Sequence, residues 1–182
     1  MQINKLFIIV TLLHSALCYS TEDLFVKEAR SLASDLRVSL MQNLSEKISK
    51  DGVKNAVPFC HANVKAIAKG AAKDRINKFE FGRTSHKVRN SANNPLPWAD
   101  KYLKEFAGSK KGEIKKEYIL HDLENGKKVY MEPLYVEAKC LLCHGENVAS
   151  NVSVKIKELY PNDKATGFKL GEFRGFIWVK EK

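Results

Sequence analysis

Apolar residues recur every three or four positions over residues 21–50, and this spacing predicts one long amphipathic helix. The stripe consists of Phe25, Ala29, Leu32, Leu36, Leu40, Leu44 and Ile48. Thr21 is the expected N-cap, because its hydroxyl can accept a hydrogen bond from the first turn. Asp51-Gly52 should end the helix, because glycine tolerates the left-handed backbone that often follows a helix C-terminus.

A second helix is expected from Asn55, as its N-cap, to Gly70 or slightly beyond. Pro58 would then lie in the first turn, where its missing N–H group is harmless. The apolar face of this helix consists of Val57, Val64, Ile67, Ala68 and Ala71. The two long predicted helices therefore precede every predicted strand.

The rest of the chain changes to a period typical of strands. The predicted strands cover residues 76–85, 117–123, 127–134 and 173–179, and the tail after His144 is strand-like. Asn125-Gly126 separates the middle two strands and predicts a tight hairpin. A short helix starting near Trp98 interrupts the sheet, and Trp98 and Trp178 are expected in the core. Helices followed by an antiparallel sheet predict an α+β fold.

Composition supports a folded chain with one domain. The chain has 182 residues, of which 44% are hydrophobic, with 10 Gly and 5 Pro. These values exclude collagen-like and wholly disordered classes, because enough apolar side chains are present to form a core. The 4 cysteines are too few for a disulfide scaffold in a chain of this length.

Residues 1–20 have the layout of a secretory signal peptide, with Lys5, an apolar run over 6–13 and small residues before Thr21. The apolar run is too short to span a bilayer, so cleavage is favoured over a membrane anchor. A lipid anchor on Cys18 is disfavoured by the bulky Leu17. We therefore predict an exported, periplasmic domain over residues 21–182 that is not transmembrane after cleavage and keeps an odd number of cysteines.

Cys140-Leu141-Leu142-Cys143-His144 is the C-x-x-C-H pattern of c-type haem attachment. Its two thiols can form thioethers with one haem, and His144 can then ligate the iron. Half of a zinc site and a thiol–disulfide exchange motif are the alternatives. A structural zinc ion would need four nitrogen or sulfur ligands, and a redox C-x-x-C would need a βαβ unit, so haem is favoured.

The second axial ligand of the iron must precede the motif, because no His, Met or Cys follows His144. The candidates are Met41, Cys60, His61, His86, His121 and Met131, or no ligand at all. On a helical wheel, Cys60 lies about 36° from the centre of the apolar face and His61 about 64° on its other side. Both can point inward, although a buried cysteine in a helix is often only a small hydrophobe.

Four segments together resemble a family of exported c-type haem domains with a PAS-like fold, also found as sensory modules in bacterial signalling proteins. The resemblance covers Phe25 to Val179. Its motifs are Ala56-Val57-Pro58-Phe59-Cys60, the stretch from Gly82-Arg83-Thr84-Ser85 through Arg89-Asn90 to Asn94-Pro95 and Trp98, Cys140-Leu141-Leu142-Cys143-His144-Gly145, and residues 165–175. The resemblance implies one covalently attached haem c whose iron is ligated by His144 and by the thiolate of Cys60.

Basic residues cluster near the expected ligand. Residues 47–89 hold 11 basic and 3 acidic side chains, within a chain of net charge +10. This surplus can steer an acidic redox or signalling partner, or an anionic membrane surface, although a charge run is usually a solvated face. Arg83, Lys87 and Arg89 can pair with haem propionates, but a solvated strand edge is favoured. Export and the lack of a known motif disfavour nucleic-acid binding.

The sequence therefore predicts a haem protein that acts in redox sensing or electron transfer rather than an enzyme. A sensor of nitric oxide or carbon monoxide with a labile thiolate is the alternative. A haem peroxidase would need an open iron position and a distal base such as His61, His86 or His121. A helical-bundle cytochrome is disfavoured by the Asn125-Gly126 hairpin and by the strand-like tail.

Overall fold

A computed structural model describes residues 20–182 of the chain. The predicted signal peptide lies outside the described residues, apart from Ser20. Within 20–182, no helix combines the length and the apolar character needed to cross a membrane.

The first helix, α1, covers Thr21–Ala72 but reverses direction at Gly52, where φ is 79° and ψ is 166°. This backbone region is accessible almost only to glycine. Arg75 and Asp35 form an ion pair of 2.6 Å, although a straight helix would separate residues 40 positions apart by about 60 Å. The helix therefore has a first arm, residues 21–51, and a second arm, residues 53–72. The predicted break at Asp51-Gly52 is confirmed.

Two predicted helix caps are wrong. Ser20, not Thr21, is the N-cap of α1, and its hydroxyl accepts a hydrogen bond of 3.1 Å from the Asp23 N–H. Asn55 lies inside the second arm, where its side-chain amide donates to the Asp51 carbonyl at 2.9 Å. Gly52 makes the reversal by itself, so the helix resumes without a capping side chain. Pro58 consequently lies beyond the first turn of the second arm.

Four antiparallel strands form one sheet in the order β1-β4-β3-β2. They are β1 Phe79–Thr84, β2 Ile119–Asp122, β3 Lys128–Tyr135 and β4 Phe173–Glu181. The α+β fold is confirmed. The hairpin is confirmed as well, because the Gly126 N–H donates to the Leu123 carbonyl at 2.9 Å between β2 and β3. β1 begins later than predicted because a 3-10 helix, Lys73–Asn77, precedes it.

Three further helices follow α1: α2 Asp100–Phe106, α3 Leu141–His144 and α4 Ser150–Leu159. The strand-like tail predicted after His144 is confirmed only at β4, and the helix α4 corrects the prediction for the segment before it. Alternating β-branched residues in this segment are typical of a strand, yet Val152 and Ile156 are both buried and pack with Val57 of the second arm. Val154, which lies between them, is 66% exposed. Burial of residues four positions apart selects the helix.

The two faces of the sheet pack against different helices. One face, through Tyr130, Ile177 and Val179, packs against the first arm of α1. The other face packs against α2 and includes Val129, Met131, Phe173 and Phe176, with Leu103 and Phe106 from the helix. Trp98 and Trp178 join this second cluster as partly buried rings 5.7 Å apart. Side chains alternate between the two faces along the regular part of the sheet, as the pleat requires, and a register shift between Leu134 and Tyr135 interrupts this alternation opposite Phe173.

Candidate functional site

A cavity of about 290 Å³ lies on the α1 face of the sheet. It is lined by both arms of α1, by the end of β1, by the start of β4 and by α3. All four residues predicted to bind haem lie in its wall: Cys60, Cys140, Cys143 and His144. The fold therefore brings Cys60 to the same cavity as a motif that lies 80 positions further along the chain.

One turn of helix presents the C-x-x-C-H motif. Cys140 ends a 3-10 turn, Ala138–Cys140, and α3 follows it directly. Cys140 and Cys143 are three positions apart, which places both thiols on one side of the turn. A Cβ on Gly145 would lie 2.7 Å from the Leu141 carbonyl oxygen, so only glycine fits directly after His144. Cys60, Cys140 and Cys143 are all free thiols.

The imidazole of His144 is held by one hydrogen bond. Its Nδ1–H donates to the Ala165 carbonyl at 2.6 Å, which leaves Nε2 with an unshared electron pair. Burial, together with the charges of Arg174 and Arg89, lowers the pKa of His144 well below its usual value. The ring is therefore neutral at pH 7, which is the form that ligates metals.

The carbonyl of Ala165 is itself fixed by its neighbours. Asp163 accepts a hydrogen bond of 2.9 Å from the Ala165 N–H and forms an ion pair of 3.0 Å with Arg89. Arg89 also donates to the Cys143 carbonyl at 2.6 Å, and the Phe168 N–H donates to the His144 carbonyl at 3.0 Å. Such supporting contacts orient a ligating histidine.

Sequence reasoning missed Asp163 and the Ala165 carbonyl. Ala165 lies in a segment that carried the family resemblance, but no motif in the sequence marks either group as a partner of the haem motif.

The candidates for the second axial ligand differ in whether their side chains line the cavity. Met41 and Cys60 line the cavity. His61 is exposed, and its ring lies 5.0 Å from that of Tyr160. Met131 is fully buried in the cluster on the α2 side of the sheet. His86 and His121 do not contribute to the cavity wall either, so His144 is the only histidine of residues 20–182 that does.

The thiol of Cys60 lies in a mixed environment. Burial raises its pKa, while the positive charges of Arg83 and Arg89 act in the opposite direction. A thiolate, the form that binds iron, is favoured by nearby cations and disfavoured by an apolar wall. The two effects compete at this position.

The prediction of a solvated basic strand edge is wrong for Arg83 and Arg89. Both line the cavity, and the Arg89 side chain is only 13% exposed. Lys87 lies outside the wall, with its ammonium group 4.7 Å from the centre of the Phe168 ring. β1 is indeed an edge strand, but Arg83 projects from it into the cavity, where Cys60 and Tyr160 lie near its guanidinium group.

A family model described as Tll0287-like matches residues 19–181. The chain belongs to the Tll0287-like family. The crystal structure of the cyanobacterial heme-protein Tll0287 is similar to it, with a TM-score of 0.59 and 25% sequence identity. The similarity covers 88% of this chain and 95% of that one. No curated protein matches the sequence. The resemblance to a family of haem domains is thereby confirmed.

The donor set of this Tll0287-like chain fits a haem better than an isolated metal ion. Within residues 20–182 no three His, Cys, Asp or Glu side chains come together as a metal cluster. A zinc ion would need four such ligands, whereas a haem iron needs only two axial ones. The remaining wall is largely apolar and includes Leu40, Leu44, Ile48, Val57 and Val64.

Proposed function

We propose that this chain carries one haem c, attached through Cys140 and Cys143 and ligated by His144 and Cys60. The observation that carries the proposal is the arrangement of one cavity wall. Two free thiols on one helical turn and an imidazole with a free Nε2 face the same cavity as the thiol of Cys60. The Tll0287-like family and the similarity to a heme-protein support the same conclusion.

The proposed role is electron transfer or redox sensing. Bound haem supplies the redox chemistry, and an anionic thiolate ligand would stabilise the ferric state and lower the reduction potential. The chain would hold the haem iron with the fixed imidazole of His144 and the thiol of Cys60, and the apolar wall would limit access of water. The sheet order, with the last strand between the first and the third, supports a PAS-like fold of the kind found in sensory domains.

Export to the periplasm and an acidic partner complete the proposal. The signal-like residues 1–20 support export, and haem attachment of this type takes place outside the cytoplasm. The second arm, which carries Cys60, also carries three exposed lysines, namely Lys54, Lys65 and Lys69. Their charge would steer an acidic redox partner to the haem. Changing all three to Glu should slow reduction by such a partner at low salt, whereas Lys115→Glu, far along the chain in an exposed loop, should not.

Gas sensing is the second candidate function. Burial raises the pKa of the Cys60 thiol, which favours its protonated and weakly ligating form. A ligand that dissociates on reduction would admit carbon monoxide or nitric oxide. Peroxidase activity is not proposed, because His61, His86 and His121 do not line the cavity formed by residues 20–182.

Absorption and EPR spectra of the purified haem form, in both oxidation states and with carbon monoxide, test these roles. We expect a low-spin ferric haem with thiolate character, lost in Cys60→Ala and retained in the adjacent control His61→Ala. Unchanged low-spin signals in Cys60→Ala would reject Cys60 as the ligand. Rapid binding of carbon monoxide by the reduced wild type would favour gas sensing, and resistance to it would favour electron transfer.

A further inference from the structure

Among residues 20–182, four arginines line the cavity, and two of them have acidic partners. Arg37 pairs with Glu132 at 2.7 Å. Arg89 pairs with Asp163 at 3.0 Å. Arg174 donates only to neutral acceptors, the Ser85 hydroxyl at 2.7 Å and the Lys87 carbonyl at 3.1 Å. The side chain of Arg83 forms neither an ion pair nor a hydrogen bond with any residue of 20–182. Two guanidinium groups at the cavity thus lack an anion.

No carboxylate of the cavity wall is placed to neutralise these two cations. Glu137 is the only acidic residue in the wall among residues 20–182, and it is exposed and forms no ion pair there. Burial lowers the pKa of Arg83 and lowers that of Arg174 to about 10. An unpaired buried charge is costly, so proteins keep such groups where a partner or a ligand compensates them.

The backbone holds both side chains on rigid elements. Arg83 lies in β1, where it is paired with Ile177 of β4. Arg174 is the second residue of β4, its guanidinium lies 5.0 Å from the centre of the Phe168 ring, and the Ser85 hydroxyl donates to its carbonyl at 2.7 Å. Two guanidinium groups carried by neighbouring strands in one wall are suited to planar carboxylates, which arginine binds with two parallel hydrogen bonds.

We propose that Arg83 and Arg174 bind the two propionate carboxylates of the haem. This inference rests on the proposed function, and it assigns to each of these two guanidinium groups one of the two anionic groups that a haem carries. Arg89 is not assigned a propionate, because its charge is already paired with Asp163, and its Nε and Nη2 groups donate to Asp163 and to the Cys143 and Ala165 carbonyls. Arg83 and Arg174 would thereby direct the propionate edge of the haem towards the last residues of β1 and the first residues of β4.

Redox-difference infrared spectroscopy tests this inference on the haem form of the full chain. The haem is labelled with ¹³C in its propionate carboxyl groups through labelled 5-aminolevulinate, so that only these carboxylates change frequency. The variants are Arg83→Gln, Arg83→Lys, Arg174→Gln and Arg174→Lys. The control is Arg30→Gln, because Arg30 is a half-exposed partner of Glu117 outside the cavity wall.

We expect each Gln variant to shift the labelled bands and the control to leave them unchanged. The reduction potential should also become more dependent on pH near neutrality, because a carboxylate that loses its guanidinium partner has a higher pKa. The Lys variants should retain part of the wild-type signature, and they preserve the test if a Gln variant does not fold. Bands that stay in place in all four variants would overturn the inference.

Arg83 is also near Cys60, so a second arm of the experiment separates the two roles. The band shift caused by Arg83→Gln should persist in a Cys60→Ala background. A change confined to the iron–thiolate spectrum, without movement of the labelled bands, would overturn propionate binding in favour of an effect on the thiolate. Wild-type protein that carries no covalent haem by mass would reject the proposed function itself, whereas haem with unmoved bands would reject only this inference.

Discussion

The two ends of strand β1 have different surroundings on the side of the sheet that faces α1. On β1, Phe79, Phe81 and Arg83 project to the α1 side, since side chains two positions apart share a face. Phe79 is 6% exposed within the apolar cluster of the first arm, and Phe81 packs against that cluster. Arg83, only four positions further, lines the cavity.

The contrast separates stability from function. At the Phe79 end, aromatic and aliphatic side chains exclude water, and the gain comes from burial of apolar surface. At the Arg83 end, cations, thiols and a neutral imidazole surround a cavity, and hydrogen bonds and one buried ion pair keep them in place. The first region stabilises the sheet, and the second depends on that stability to hold groups that are costly to bury.

The prediction with the largest expected effect tests whether the ion pair between Arg89 and Asp163 stabilises the region around the cavity. Asp163→Asn should lower the free energy of unfolding by about 3–5 kcal/mol, because it leaves Arg89 buried without its partner. It should also loosen the Ala165 carbonyl that orients His144. Urea unfolding measures the loss, and Asp100→Asn, which breaks an exposed pair with Lys104, is the control with an expected loss below about 1 kcal/mol. Equal losses would remove the proposed distinction.

A matched pair of leucines on the first arm compares the two regions directly. Leu32 is fully buried in the apolar cluster, whereas Leu44 borders the cavity. Leu32→Ala should cost about 2–5 kcal/mol, since it creates a void in a packed core. Leu44→Ala should cost clearly less in the haem-free chain, because its side chain already borders the cavity. Urea titrations of both variants give the ratio, and a larger loss for Leu44→Ala would contradict the comparison.

A third prediction concerns the reversal that lets one helix serve both regions. Gly52→Ala should cost about 1–3 kcal/mol, because φ of 79° with ψ of 166° strains any residue with a Cβ. Gly70→Ala in the second arm is the matched control. Gly70 has open space around its Cβ position and should gain up to about 1 kcal/mol in helix propensity. Thermal unfolding of the two variants should therefore move in opposite directions, and parallel shifts would argue against strain at Gly52.

The smallest expected effect is a pH dependence at the boundary between the two regions. His86 stacks on Phe173 at 5.7 Å, and its Nδ1 is buried without a partner. Burial, with Lys87 and Arg174, lowers its pKa below 6.5, while Glu172 acts in the opposite direction. The unfolded chain then binds a proton near pH 6.5 that the folded chain does not, so stability falls as the pH drops through this value.

His86→Phe removes this titration and keeps the ring stack. Free energies of unfolding at about pH 7.5 and about pH 5.5 should differ less in the variant than in the wild type. The remaining difference in His86→Phe comes from the other groups with lowered pKa, His121 and His144. An unchanged or larger difference would mean that His86 is not the group responsible.

Much of the fold could be predicted because its signals are local. The leucine stripe and Gly52 defined two helical arms, and Asn125-Gly126 defined a hairpin whose geometry depends on two adjacent residues. The sheet order could not be predicted, because β4 lies between β1 and β3 and pairs with β1 across nearly 100 positions. The helix α4 was missed because the apolar residues of 150–159 fit both the alternation of a strand and the spacing of a helix. Only packing on the second arm of α1 decides between these two structures.

The candidate site divides in the same way. The sequence by itself determined the C-x-x-C-H turn, since the spacing of Cys140, Cys143 and His144 follows from one turn of helix. Only the tertiary structure decided that Cys60 rather than His61 reaches the cavity, that Asp163 supports the turn through Ala165, and that Arg83 faces inward. These relations join segments that are distant in sequence. No local rule encodes which side chains share a cavity, so the sequence pattern could not reveal them. They arise only when the arms of α1 pack on the sheet and bury its face.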